Sequence, residues 1–244
     1  MSKLPPARSL TKALEDGLDR RRLLAGAGGL GLLAALGAMV RPAAALTREE
    51  ELVEDCRLTV QSLLSDPDFE WLDDYIRRAR GVMIFPDLVK GGFIVGGEGG
   101  TGVLLARLAD GSWSYPAFYF MGAASVGLQI GGQVSEVVLT VMNDDAVDRI
   151  LRNNFKLGAD ASVALGPIGR GAEAGTAGGF DNDIYTFGRA VGLFGGISLE
   201  GAVLADEPER NRYYYGRDVA SRAVVYEGAV SNVQADALRN ALPR

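Results

Sequence analysis

The 244-residue chain contains no histidine and a single cysteine, Cys56. Without histidine there is no Ser-His or Cys-His pair and no imidazole general base or metal ligand. With one cysteine there is no intrachain disulfide and no thiolate metal cluster. No Gly-Lys-Ser/Thr triplet occurs, so a phosphate-binding loop is excluded. Basic residues are scarce once the N-terminus is set aside. Residues 1–45 hold seven Lys/Arg and three Asp/Glu, leaving 18 basic and 28 acidic residues in 46–244, a net charge of −10. Such a surface repels nucleic acid and offers no general attraction to anionic headgroups. No metal or cofactor is expected.

The first 45 residues have the plan of an export signal. Asp19-Arg20-Arg21-Arg22 precedes an apolar, Gly/Ala-rich run to Val40, and Arg41-Pro42-Ala43-Ala44-Ala45 supplies a small-residue A-x-A site at Ala43 and Ala45. The paired Arg20-Arg21, the leucines after them and the late Arg41 match a twin-arginine signal. Retention as an anchor is the lesser reading, since the eighteen-residue run Leu23–Val40 is diluted by Gly and Ala. Residues 46–244 then form one domain, exported or periplasmic and peripheral to a membrane.

Glycine is what the chain has in excess. Seven fall between Gly91 and Gly102, among Val, Ile, Phe and Leu, within the stretch Gly81–Pro116. That is strand composition interrupted by glycine. Strands are predicted at 82–85, 92–96, 102–108 and 113–120, with a hairpin turn at Asp110-Gly111. Further strands are predicted at 126–130, 136–142, 161–165, 184–187 and 191–204. Thr47 and Glu50 have capping-box spacing ahead of a helix over 47–65, with Leu52, Cys56, Val60 and Leu63 on one stripe. A second helix starts at Asp66-Pro67 and stops at Gly81. Short helices are predicted through Leu151, capped by Asn143 or Asp144, and over 207–215. A last one covers 219–240, broken near Gly228 and capped by Ser231. The stretches 125–139 and 190–204 echo one another, either as two equivalent hairpins or by coincidence. The fold class is α+β: a Gly-rich antiparallel sheet, open or barrel-like, flanked by N- and C-terminal helices.

Four motifs have a bland reading beside the functional one. Gly97-x-Gly99-x-x-Gly102 has dinucleotide-fingerprint spacing, but no helix can follow it and no acidic residue stands about 20 positions on, so close-packed strands are favoured. Ser125 sits near a nucleophile-elbow pattern that needs a histidine the chain lacks. Asp144, Asp145 and Asp148, and Asp181 with Asp183, could hold a hard cation or simply cap and solvate. Tyr213-Tyr214-Tyr215 could stack on a ligand or pack half-buried. The stripe Leu52, Cys56, Val60, Leu63 could lie on a membrane, but its polar face is acidic, so packing on the sheet is favoured.

Several segments together resemble the SYLF domain, also called the Ysc84 actin-binding domain: GVMIFPDLVKGGFIVGGEGGTGVLLAR, GSWSYPAFYF, SVGLQIGGQVSEVVLTVMN, LGADASVALGPIGRGAEAG and YTFGRAVGLFGGISLEGAVL. The resemblance covers about residues 58–227. It implies a non-catalytic lipid-binding module, with phospholipid or phosphoinositide-like headgroups as the ligand class. It makes Lys90, Arg107, Arg170 and Arg189 the candidate headgroup contacts, beside the apolar stripe. The resulting expectation is an exported lipid-binding protein of the bacterial envelope. The alternatives are an envelope protein–protein interaction module without lipid and an enzyme built on paired carboxylates. Lipid or membrane surface is the expected partner, nucleic acid is not, and actin is disfavoured because the chain reads as exported.

Overall fold

The computed structural model describes residues 46–92, 95–126, 131–152, 154–167, 181–191, 199 and 201–244. The leader 1–45, Arg170, most of the predicted loop 169–182 and the centres of both echoed stretches lie outside the described residues.

Helix α1, Arg48–Ser65, starts as its sequence requires: Thr47 accepts from the Glu50 N–H, and Glu50 accepts from the Thr47 N–H. A 3-10 turn at Pro67–Phe69 leads into α2, Leu72–Arg78. Gly81 does not stop this helix. The helix closes at Ala79, and Gly81 opens the first strand, paired on both sides.

The four predicted short strands of the Gly-rich stretch are three long ones: β1 Gly81–Gly92, β2 Val95–Ala106 and β3 Ala117–Val126. The predicted strand over 113–120 is half loop, with Asp110-Gly111 turning as expected and Gly111 at φ 80°. β4 Gly131–Val141 precedes α3, Asp144–Ile150, whose N-cap is Asn143. β5 Phe155–Lys156, β6 Val163–Leu165, β7 Ile184–Val191 and β8 Val203–Asp206 complete the sheet. Helices α4 Pro208–Tyr215, α5 Ser221–Tyr226 and α6 Asp236–Ala241 end the chain. The predicted last helix is thus split, with Gly228 at φ 60° in the break. Asn232, not Ser231, caps the 3-10 turn that follows.

The eight strands run in the order β5-β8-β3-β2-β1-β4-β7-β6 as one curled, open sheet, a half-barrel. All pairs are antiparallel except β6 with β7, so the sheet is mixed. The echoed stretches are not hairpins. β3 and β4 are separated by β2 and β1, and β7 and β8 lie on opposite sides of the sheet. Only four residues join β3 to β4. They reach about 17 Å, against about 14 Å across three strand spacings on a flat sheet, and curling shortens that chord.

Pro86 explains the shape of β1. It has no N–H for the ladder, and the register with both neighbours shifts around it, between Ile84 and Val89 on one side and Phe85 and Leu88 on the other. The bulge drives its backbone into β2. A Cβ on Gly100 would stand 2.3 Å from the Asp87 carbonyl oxygen, and one on Gly102 2.1 Å from that of Ile84. Glycine is needed on β2 because β1 bulges.

Both faces of the sheet are covered at one end. On the first face, Cys56, Val60 and Leu63 of α1 and Leu72 and Ile76 of α2 pack on Val82, Ile84, Val103 and Val138. On the second, Ala146, Val147 and Ile150 of α3 and Val224 and Val225 of α5 pack on Met83, Phe85, Leu104 and Leu139.

Candidate functional site

The glycine-rich end of the sheet lies beyond these helices, and its two faces differ. On the α1 face three large apolar side chains stay in solvent: Val89 at 54% exposure, Phe120 at 42% and Val134 at 41%. Register aligns them. Val89 on β1 stands opposite Val134 on β4 and Gly99 on β2, and the Phe120 ring of β3 lies over Gly99 and Gly122. A Cβ on either glycine would come within 2.9 Å of that ring. The glycines therefore give a floor on which the ring lies flat, and the strip Val134–Val89–Phe120 runs unbroken over four strands. The three side chains form one row of exposed apolar surface across the sheet.

On the opposite face the same strands carry a polar group of four. Lys90 is in register with Glu98 on β2 and Gln133 on β4, and Ser135 with Leu88. Glu98 (8% exposed), Gln133 and Ser135 are buried. Lys90 Nζ stands 3.8 Å from Glu98 Oε2, and Gln133 Nε2 donates to Ser135 Oγ at 3.1 Å. Burial raises the Glu98 carboxyl above its ordinary value, with Lys90 acting the other way. Lys90 is one of two lysines in 46–244, the other being Lys156.

The candidates expected from sequence are not brought together. Arg107 is a structural residue. It donates to the carbonyls of Ile76 (2.8 Å), Ala79 (3.0 Å) and Gly111 (3.1 Å), closing the end of α2, and its guanidinium stacks 4.2 Å over Trp113. Burial, with Arg80 and Arg77 nearby, lowers its pKa. Lys90 and Arg107 stand at opposite ends of the β1–β2 pair, about 30 Å apart along the strands. Arg189 clamps α1 to the sheet, donating to Ser62 (2.6 Å), Glu136 (2.7 Å) and Asp66 (3.3 Å). Cys56, Val60 and Leu63 are fully buried beneath α1, and Leu52 is partly buried beside them. In this conformation the stripe is core.

The remaining motifs resolve into packing. Ser125 lies on β3 opposite Gly96. Asp144, Asp145 and Asp148 pair with Arg80, Arg149 and Arg222, and Asp183 accepts from Asn143 and Ser162. Among the described residues no group of three His, Cys, Asp or Glu could hold a metal ion. Tyr214 donates to Gln234 and Tyr215 to the Pro116 carbonyl, both at 2.6 Å, while Tyr213 is exposed beneath Arg212. A cleft of about 300 Å³ beside β5 is lined by Arg149, Arg152, Phe155 and Asp160. Arg149 is already held there by Asp145 and the Asp160 carbonyl.

Sequence reasoning missed Val89, Phe120, Val134 and Glu98. The first three read as ordinary strand residues, because nothing in the sequence says where the helices stop covering the sheet. Glu98 did carry a signal: it is the one charged residue in the glycine run Gly91–Gly102.

Comparison with known proteins gives consistent matches. The family described as Ysc84, Las17-binding protein actin regulator, matches residues 122–244. The human SH3 domain-containing YSC84-like protein 1 is 35% identical over 164 residues, covering 67% of this chain and 48% of that protein. Its Xenopus laevis counterpart is 38% identical over 144 residues, covering 59% and 43%. LAS seventeen-binding protein 3 of Saccharomyces cerevisiae is 35% identical over 156 residues, covering 62% and 34%. The chain spans about half the length, or less, of the relatives it matches. These names overturn one expectation. Actin was disfavoured as a partner, whereas the matching family is described as an actin regulator and the yeast relative as Las17-binding. By the match over its C-terminal half and these relatives, the chain belongs to the Ysc84 family.

Proposed function

We propose that the chain is a non-catalytic binding module that docks on a lipid surface with the glycine-rich end of its sheet. The observation that carries this reading is the exposed strip Val134–Val89–Phe120. Val89 lies three residues from the strand end at Gly92, about 10 Å, and interfacial elements bury their apolar side about 5–10 Å into a bilayer. The sequence joining the strand ends here, 93–94, 127–130 and 192–202, contains a single charged residue, Glu200. With a net charge of −10 over 46–244, the attraction is apolar, not electrostatic.

Flotation with neutral phosphatidylcholine vesicles tests this. Binding is expected to persist from low to high salt and to fall sharply in Val89→Asp and Phe120→Asp. Binding that disappears at high salt, or is unchanged in both variants, would overturn the reading. The leader belongs to the same proposal: residues 1–45 direct export by the twin-arginine route. Arg20→Lys with Arg21→Lys should block precursor processing, and unchanged export would refute the route.

A second reading is favoured by the names of the relatives: the strip contacts a protein of the actin-regulating machinery. Co-sedimentation with actin filaments, lost in Val89→Asp while vesicle binding was absent throughout, would move the function to that reading.

A further inference from the structure

We propose that Glu98 and Lys90 form a site for a phosphoethanolamine group, the ammonium on Glu98 and the phosphate on Lys90. The inference rests on the lipid-docking reading and names the headgroup that this end of the sheet selects.

Glu98 is the starting point. Its side chain is 6% exposed, and among the described residues its one charged partner is Lys90 at 3.8 Å, beyond hydrogen-bond length. Buried carboxylates accept hydrogen bonds as a rule, because burial without them is costly. Among the described residues no N–H donates to Glu98, and its carboxylate oxygens are not sealed from solvent, so a ligand donor can reach them. Lys90 keeps 21% side-chain exposure, so the pair can be reached from its side.

Charge and spacing narrow the ligand. The pair is neutral overall, and so is a zwitterion laid antiparallel to it. Glu98 and Lys90 are directly opposed on neighbouring strands. The two-carbon spacer between phosphate and amine is of the order of one interstrand spacing, about 4.8 Å. One weak ion pair thereby becomes a ring of four alternating charges. Gln133, on the far side of Lys90, has one amide N–H engaged by Ser135 and a second free to donate to the same phosphate. A choline group would not serve. Its quaternary nitrogen has no N–H, and such cations are held by aromatic faces, not by a carboxylate needing a donor.

The site and the strip lie on opposite faces of the same strand ends. Lys90 is two residues from Gly92, and Val89 three. End-on docking to the depth of the strip therefore carries the pair to headgroup level as well.

The test uses the purified full chain and two kinds of probe. Vesicles of phosphatidylcholine alone are compared with vesicles containing one part in three phosphatidylethanolamine. Soluble glycerophosphoethanolamine is titrated by NMR, with glycerophosphocholine as control. Phosphatidylethanolamine should raise vesicle affinity by about tenfold in the wild type, one charge-assisted hydrogen bond's worth. Glu98→Gln should lose that gain while still binding phosphatidylcholine vesicles, and Lys90→Gln is the second variant should Glu98→Gln fold poorly. Glycerophosphoethanolamine shifting the Lys90 and Gln133 amides, with no response to the choline control, would show that the free group is taken too. A gain on vesicles with no such shift would assign the site to the lipid alone. Equal affinity for both vesicle types with no soluble binding overturns the proposal and leaves the lipid-docking reading intact. Binding to neither vesicle while the soluble probe still binds refutes lipid docking and keeps the site.

Discussion

The two ends of this sheet are built from the same four central strands, β1 to β4, in different ways. At the covered end, Phe85, Leu104 and Leu139 point into one helix layer and Ile84, Val103 and Val138 into another, and all six are fully buried. At the glycine-rich end, one face leaves Val89, Phe120 and Val134 in solvent and the other buries Glu98 and Gln133. The first end follows the rule that apolar side chains fill a core; the second breaks it on both faces. Exposed apolar residues and buried polar ones in one place are what the proposed docking site rests on.

The comparison is broken most severely by truncating the core. Phe85→Ala should destabilise by about 3–5 kcal/mol, since the ring is removed from a packed layer that cannot collapse. Val89→Ser, four residues along the same strand, should change stability by no more than about 0.5 kcal/mol. Chemical denaturation of both variants measures the contrast. Similar costs at the two sites would mean that the strip is covered in solution.

The next largest effect distinguishes glycines on a single strand. Gly102→Ala puts a Cβ 2.1 Å from the Ile84 carbonyl oxygen, so backbone must move. A cost of about 1–3 kcal/mol is expected, as for other overpacked sites. Gly97→Ala meets nothing nearer than the Ala123 carbonyl at 4.0 Å and should be close to neutral. If both were neutral, the bulge at Pro86 would not be what demands glycine.

These two cases also show what could be read in advance. The cap Thr47/Glu50, the stripe Cys56–Val60–Leu63, the Asp110-Gly111 turn and a cap at Asn143 or Asp144 are local, and local chemistry writes them into the sequence. The α+β class and the helices at both ends followed from the same signals. Strand lengths did not, because glycine hides the alternation that marks a strand's extent. Nor did strand order: the echo 125–139 and 190–204 leaves hairpins and coincidence both open, and the pairing shows two crossovers. Of the residues in the proposed site, Lys90 alone is singled out from the sequence. Sequence shows the charges of Arg107 and Arg189 but not the carbonyls and carboxylates that they bond. The strip was hidden because exposure depends on where α1 ends over the sheet.

A smaller effect concerns how α1 is held across the boundary between the ends. Arg189→Ala removes bonds to Ser62, Asp66 and Glu136 at once. The pairs are part-exposed, so a loss of about 1 kcal/mol is expected, reduced further by salt. Hydrogen exchange should quicken in the last turns of α1 and not in α3. Uniform quickening would mean that Arg189 supports the whole fold.

The smallest effect separates the ends by pH. Glu98 has its carboxyl raised by burial, so the folded state holds its proton to higher pH than the unfolded chain does. Between the unfolded and the folded pKa the native state binds more protons, and stability contributed by the neutral form is lost as pH rises through that window. Glu98→Gln keeps the neutral shape and cannot ionise. The variant should match the wild type in acid, below the ordinary carboxylate range, and become the more stable of the two toward neutral pH. Carboxylates held below their ordinary value, such as Asp183 beside Asn143 and Ser162, give the opposite slope but are common to both proteins and cancel in the difference. Thermal melts of the pair across acid to neutral pH give the answer. Curves that stay parallel would mean that Lys90 already neutralises the cost of burying the carboxylate. Curves that diverge would mean that the glycine-rich end keeps an ionised carboxylate at the expense of stability, as a recognition site does and a core does not.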